Sequence, residues 1–154
     1  MKEQRRGRRI AMSPEERDEF LARQQVCRMA TIGANGRPHT SALWFVWDGS
    51  VVWINSVVKS QRFTDVARDG RVSIIVDGGD SFADLRGVTI EGTAKAVGEV
   101  PRTGENNDAL NAPELAFARK YMQRDEFVYD GGHAWLHVTP GKIVSWDFSK
   151  HGTG

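Results

Sequence analysis

The chain is short of cysteine, proline and long hydrophobic runs, and each shortage removes a class of protein. Cys27 is the single cysteine among 154 residues. No internal disulfide can form, and a reducing cytoplasm is the expected setting. No Cys/His cluster has the spacing of zinc ligands, so no metal is expected. No apolar run is long enough to cross a bilayer and the first residues lack a signal-peptide core, so no membrane association is expected. The Gly-x-Ser-x-Gly elbow, the His-Glu-x-x-His pair, the Walker phosphate loop and the dinucleotide glycine fingerprint are all missing. Charge of one sign is also lacking: 21 basic residues stand against 20 acidic ones. That balance hides one asymmetry, because Lys2, Arg5, Arg6, Arg8 and Arg9 face only Glu3 in the first nine residues. Such an arm reads as a solvated terminus, or as a contact for phosphates or an anionic ligand tail. No recognition helix or aromatic RNA-binding signature follows it, so nucleic acid is not the expected partner.

What is present is a run of short elements suited to one domain, residues 13–150, behind an arm of residues 1–12. Ser13-Pro14-Glu15-Glu16 is a helix start, with Ser13 and Glu16 as a capping box and Pro14 at the first helical position. The helix ends near Gln25. A strand follows from Val26 to Ile32, then the hairpin signal Asn35-Gly36, a second strand from His39 to Trp47, the turn Asp48-Gly49 and a third strand from Val51 to Ser56. Together these read as a three-stranded meander. Lys59 to Arg68 reads as a helix, Val72 to Asp77 and Arg86 to Gly98 as strands, and Gly92 as a bulge. Pro101 to Asn111 reads as a mobile loop, Glu114 to Gln123 as an amphipathic helix, and Trp135–Val138 with Lys142–Trp146 as a strand pair around Pro140-Gly141. The pattern predicts a mainly β domain with some helix (α+β), an antiparallel barrel closed by short helices.

The stretch from Asn55 through Ser56, Lys59, Ser60 and Gln61 to Arg62 carries the most chemistry. It lies where a strand gives way to a helix start, so free backbone N–H groups and the helix dipole favour an anion. Lys59 and Arg62 add charge, and Ser56 and Ser60 add hydroxyls. An arginine can grip a phosphate with two hydrogen bonds, whereas a lysine acts as a movable point charge. On residues alone, a phosphate grip and a solvated first helical turn both remain open. The four histidines are scattered, and a lone strand histidine is more often packing or surface than chemistry.

Five ordered segments resemble the pyridoxamine 5′-phosphate oxidase-like superfamily of flavin and deazaflavin oxidoreductases. They are Met29–Ile32 with Asn35–His39, Lys59–Arg62, Arg68–Ser73, Arg86–Ala94 and Val144–Asp147. The resemblance implies a split β-barrel of the FMN-binding type, a homodimer, and a cofactor in a cleft between the subunits. It assigns Ser60 and Arg62 to the phosphate site with Lys59 beside them. Ser41, Ala42, Leu43 and Trp44 fall on the strand along the ring, and Asn55 and Ser56 on the strand end that meets the ring and its polyol chain. Trp146 falls on a C-terminal tryptophan that approaches the flavin, with a core aromatic as the alternative. The oxidases proper place Arg-Lys after the serine and an arginine where Ser41 stands, and they carry a longer C-terminal substrate segment. Oxidation of vitamin B6 is therefore not expected. The Lys-Ser-Gln-basic order, with Gln61, and the closing Trp-Asp are similar to the actinobacterial branch that uses the deazaflavin F-420. The expected function is an F-420-dependent oxidoreductase passing a hydride to a small organic acceptor: a quinone, an enone or a tetrapyrrole-like molecule. The alternatives are an FMN enzyme on the same scaffold and a non-catalytic cofactor- or haem-binding protein. The cofactor would carry the hydride, so no catalytic side chain is expected, and the proton would come from water or from the substrate's surroundings.

Overall fold

In the computed structural model, which describes residues 1–152, seven strands form one curled antiparallel sheet. They are β1 (Cys27–Ile32), β2 (Pro38–Leu43), β3 (Val46–Trp47), β4 (Val52–Val57), β5 (Arg71–Gly78), β6 (Arg86–Val97) and β7 (His133–Asp147), in the order β2-β1-β5-β6-β7-β4-β3. Three α-helices pack on it: α1 (Pro14–Arg23), α2 (Gln61–Arg68) and α3 (Asp108–Phe117), the last continued by a π-helical turn, Ala118–Met122. The result is an α+β split barrel. Alternation along β5 and β6 sends Val72, Ile74, Val76, Val88 and Ile90 inward, where they meet Phe20 and Leu21 of α1 and Val66 of α2. Among the described residues, no helix is long and apolar enough to cross a membrane.

The local signals hold well. Ser13 and Glu16 form both halves of the capping box, at 3.2 and 2.8 Å. Gly36 takes a positive φ of 79° in the β1–β2 hairpin. Gly92 sits at the register shift where β6 meets β7, and a Cβ there would lie 2.4 Å from the Thr139 carbonyl oxygen.

The pairing between elements departs from expectation in four places. The three-stranded meander does not form, because β2 and β4 lie toward opposite edges of the sheet. The chain leaves β2 at Trp44, and the Tyr121 hydroxyl takes over the backbone of Phe45, accepting from its N–H at 3.0 Å and facing its carbonyl at 2.9 Å. Groups that a continuing strand would pair are thereby satisfied by a side chain. Pro140-Gly141 is no turn: β7 runs through it without interruption, and Pro140 pairs opposite Gly92 at the bulge, where a missing N–H is tolerated. Helix α3 begins at Asp108, six residues before Glu114, capped by the Asn107 side chain on the Ala109 N–H at 3.1 Å. Pro113 is buried inside it.

The fourth departure is the segment read as a mobile loop. Arg102 within it is only 4% exposed and grips Glu114 with two hydrogen bonds, 3.0 and 2.9 Å, while it reaches Glu99 at 2.5 Å. Tyr129 and Trp135 also donate to Glu114, each at 3.1 Å. Burial would raise the Glu99 carboxyl, but the hydrogen bonds from Arg102 and its neighbours hold it down at about 2. The basic arm is likewise laid down on the protein. Gln4 exchanges two hydrogen bonds with the Ser145 backbone, and the Lys2 N–H donates to Gly141 at 2.8 Å.

Candidate functional site

A cleft of about 450 Å³ opens between the end of β2, the end of β4, α2 and the segment leading into β7. Ala42, Leu43 and Trp44 form one wall, Asn55 and Arg62 the polar end, and Phe117, Met122 and Val128 the apolar floor, with Asp130 and His133 at the rim. Its shape follows from the break after β2. Trp44 leaves the sheet and stacks on Tyr121, centroids 4.6 Å apart and planes 8° from parallel, yet remains 51% exposed. Behind this pair, burial pushes the Tyr121 phenol up to about 12 and the Lys120 ammonium down to about 8. Lys120 donates to the Phe45 carbonyl at 3.3 Å and lies over the Phe45 ring, and it is not among the residues lining the cleft.

The strand-to-helix junction sorts its four residues sharply. Ser60 is the N-cap of α2: its hydroxyl accepts from the Phe63 N–H at 3.3 Å and donates to the Val57 carbonyl at 2.7 Å. Gln61 turns its amide onto Asp65 at 2.8 Å. Asp65 is fully buried and also accepts from Thr31 and Arg68, so α2 is fastened to β1 through a carboxylate. Lys59 projects into solvent. Arg62 alone of the four lines the cleft. Its Nε donates to the buried Ser56 hydroxyl at 3.0 Å, and no carboxylate pairs with it among the described residues. Burial without a counter-ion lowers its pKa, as expected for a cation stripped of water.

A second polar group is also left open. The side-chain Nδ2 of Asn55 is buried, lines the cleft and has no hydrogen-bond partner. Buried amide donors are rarely left unpaired, so a donor facing a cleft is one that a bound acceptor would satisfy. The uncompensated cation, the free donor and the flat apolar wall fit a group with a phosphate at one end and a planar polar ring at the other.

The model for the family described as pyridoxamine 5′-phosphate oxidase matches residues 13–147. The chain belongs to this family. As a member of it, and with a reductase among its relatives, it is an oxidoreductase with a flavin or deazaflavin cofactor. A 5a,11a-dehydrotetracycline/5a,11a-dehydrooxytetracycline reductase from Streptomyces rimosus subsp. rimosus is 33% identical over 133 residues, covering 82% of this chain and 78% of the relative. Among solved structures, the conserved hypothetical protein Rv2991 from Mycobacterium tuberculosis superposes with a TM-score of 0.78 at 29% identity, covering 97% of this chain and 92% of that one. A protein described as an F420 reductase superposes with a TM-score of 0.63 at 21% identity, over 85% and 98%.

The expected site residues divide into groups. Ala42, Leu43, Trp44, Asn55 and Arg62 come together in the cleft. Ser56, Ser60 and Gln61 stand directly behind it, holding Arg62, capping α2 and fixing Asp65. Ser41 shares a long 3.5 Å contact with His39 on β2. Trp146 lies against Gly87, eleven residues along β7 from Trp135, and does not line this cleft. Two polar cleft residues escape sequence reasoning, Asp130 and His133. Their only sequence signal is an Asp three residues before a His at a strand start, and that pattern is common in turns.

Proposed function

We propose that this chain is an F-420-dependent oxidoreductase that transfers a hydride to a small organic acceptor of the quinone, enone or tetrapyrrole type. The observation that carries the reading is Arg62, a half-buried cation held in place by Ser56 and left without an acid at the head of the cleft. Such a charge is costly until an anion arrives, and a phosphate accepts the two terminal guanidinium nitrogens together. Lys59, exposed one turn away, adds long-range attraction. Asn55 would donate to the ring or its polyol chain, while Ala42, Leu43 and Trp44 lie along one edge of the ring. The bound deazaflavin supplies the hydride chemistry, and the cleft positions it and excludes water. The activity for which the Streptomyces relative is named, reduction of 5a,11a-dehydrotetracycline and 5a,11a-dehydrooxytetracycline, supports the acceptor class.

The active form in this reading is a homodimer. Val26, Trp44 and Val128 are apolar, more than a third exposed and set around the cleft, as expected for a site completed by a second copy. Trp146 then serves either as packing on Gly87 or as a contribution to the second copy's cleft. The buried free thiol of Cys27 suits a reducing cytoplasm.

FMN on the same scaffold is the second reading, because Arg62 would hold its phosphate equally well. Fluorescence titration of the purified protein with F-420 and with FMN separates the two. Tighter binding of F-420, with no yellow flavin carried through purification, is the expected outcome. Copurified FMN overturns the F-420 assignment, and failure to bind either cofactor overturns the oxidoreductase mechanism.

A further inference from the structure

Hydride transfer to a carbonyl-conjugated acceptor leaves negative charge on oxygen, and a proton must follow. We propose that Asp130 and His133 form the proton-delivering pair of this cleft, with His133 touching the acceptor and Asp130 positioning its ring. The proposal rests on the hydride-transfer reading above and adds to it a side chain that acts on the acceptor.

Geometry carries the assignment. Both residues line the same cleft as Ala42, Trp44 and Asn55. Asp130 is fixed from below: its Oδ1 accepts from the backbone N–H groups of Gly132 and His133 at 2.9 and 3.2 Å. Its Oδ2 then lies 2.5 Å from His133 Nδ1, a close contact without the alignment of a hydrogen bond. His133 is the first residue of β7, paired with Val57, and its carbonyl accepts the Arg102 N–H at 2.8 Å. With Nδ1 buried against the carboxylate, Nε2 is the nitrogen left for the cleft. A carboxylate behind one imidazole nitrogen fixes which tautomer the other presents, the arrangement used by general acid–base histidines.

Other proton sources lie elsewhere. His39 contacts Ser41 on β2, His137 packs on Trp53 with centroids 4.8 Å apart, and His151 lies beside Phe82. The Tyr121 hydroxyl is committed to the backbone of Phe45 and Gln25. Lys120 lies over the Phe45 ring, donates to the Phe45 carbonyl and does not line the cleft. Arg62 holds its protons too tightly to give one up.

A bound reduced deazaflavin or flavin would supply the two electrons as hydride: its ring C–H (deazaflavin) or N–H (flavin) bond breaks as a new C–H bond forms at the acceptor's β-carbon, and the acceptor's C=C electron pair shifts so that the charge lands on its carbonyl oxygen. The Nε2–H bond of the His133 imidazolium breaks, and an O–H bond forms on the acceptor oxygen. The imidazole is left neutral, with its remaining proton on Nδ1 toward Asp130, and water reprotonates Nε2. The acceptor is reduced, the cofactor is oxidised, and the proton shed by the cofactor passes to solvent.

The test pairs kinetics with a measurement on the cofactor-free protein. Cyclohexenone and a benzoquinone serve as acceptor probes in single-turnover oxidation of the pre-reduced cofactor. His133→Gln should slow turnover by roughly 10²–10⁴-fold and leave the cofactor dissociation constant, read by fluorescence, within about threefold of wild type. Asp130→Asn should slow it by a smaller factor. In nitrogen NMR of the cofactor-free protein, the neutral His133 ring should carry its proton on Nδ1. Asp130→Asn should shift it toward Nε2, and Asp130→Glu should restore it. A His133→Gln protein that binds cofactor and turns over at the wild-type rate overturns the proposal, as does an Nε2–H ring in the wild type. If His133→Gln does not fold, the ring tautomer and the Asp130 variants decide alone. A wild type that binds neither cofactor, or reduces neither probe, overturns the hydride reading and this proposal with it.

Discussion

Arg102 and Arg62 are both drawn out of water by the same fold, and the protein treats them in opposite ways. Arg102, under α3, is surrounded by Glu99, Glu114 and the Glu105 carbonyl, so every face of its guanidinium is answered. These partners raise its pKa still further. Arg62, at the cleft, donates to one serine hydroxyl and pairs with no acid among the described residues, and burial lowers its pKa. A charge that serves architecture is neutralised from within. One that is half-buried and left unanswered is available to something from outside.

The largest expected effect comes from crossing the two sites. Arg102→Leu strands Glu114 and Glu99 without their cation and should lower unfolding free energy by about 3–5 kcal/mol in urea denaturation. Arg62→Ala should change stability by less than about 0.5 kcal/mol, yet weaken cofactor binding by about 2–4 kcal/mol in fluorescence titration. If Arg62→Ala destabilises like Arg102→Leu while affinity holds, the contrast between them is wrong.

Asp65 sharpens the comparison through pH. Hydrogen bonds from Gln61, opposed by burial and aided by Thr31 and Arg68, hold its carboxyl below the usual range. A depressed native pKa gives stability that is present above the unfolded value of about 3.9 and lost as pH falls through the native one. Asp65→Asn should therefore be less stable than wild type at neutral pH, and the gap should narrow below about pH 4. A constant gap across acid unfolding curves would place Asp65 outside the internally neutralised class. The smallest effect belongs to Lys59. Because it is exposed, Lys59→Ala should weaken cofactor binding less than Arg62→Ala, and the loss should fade as salt is raised, with the Debye length near 8 Å at about 0.15 M. A loss that persists in high salt would give Lys59 a direct contact.

Sequence reading succeeds here where one local interaction decides the outcome. The Ser13–Glu16 box, the Gly36 turn and the Gly92 bulge are each determined within a few residues. It fails where a distant side chain intervenes. Tyr121 ends β2 from 76 residues away, and Glu114 turns the segment around Arg102 from a loose loop into a pinned one. The bulge shared by Gly92 and Pro140 hides a 15-residue strand behind a turn signal. The site follows the same rule. Arg62 and Asn55 are legible because the phosphate motif is contiguous. The Asp130–His133 pair is not, because only the fold brings that turn beside β2 and α2.

The sheet order leaves β2, which carries Ala42 and Leu43, as an edge strand. An edge carries outward N–H and C=O groups with no strand to receive them, and proteins usually blunt such edges to prevent chains from zippering together. Here the edge ends in Trp44 and borders a cleft. A planar heterocycle with its own carbonyls and ring nitrogens can occupy the place of a missing strand, so that the ligand finishes the sheet.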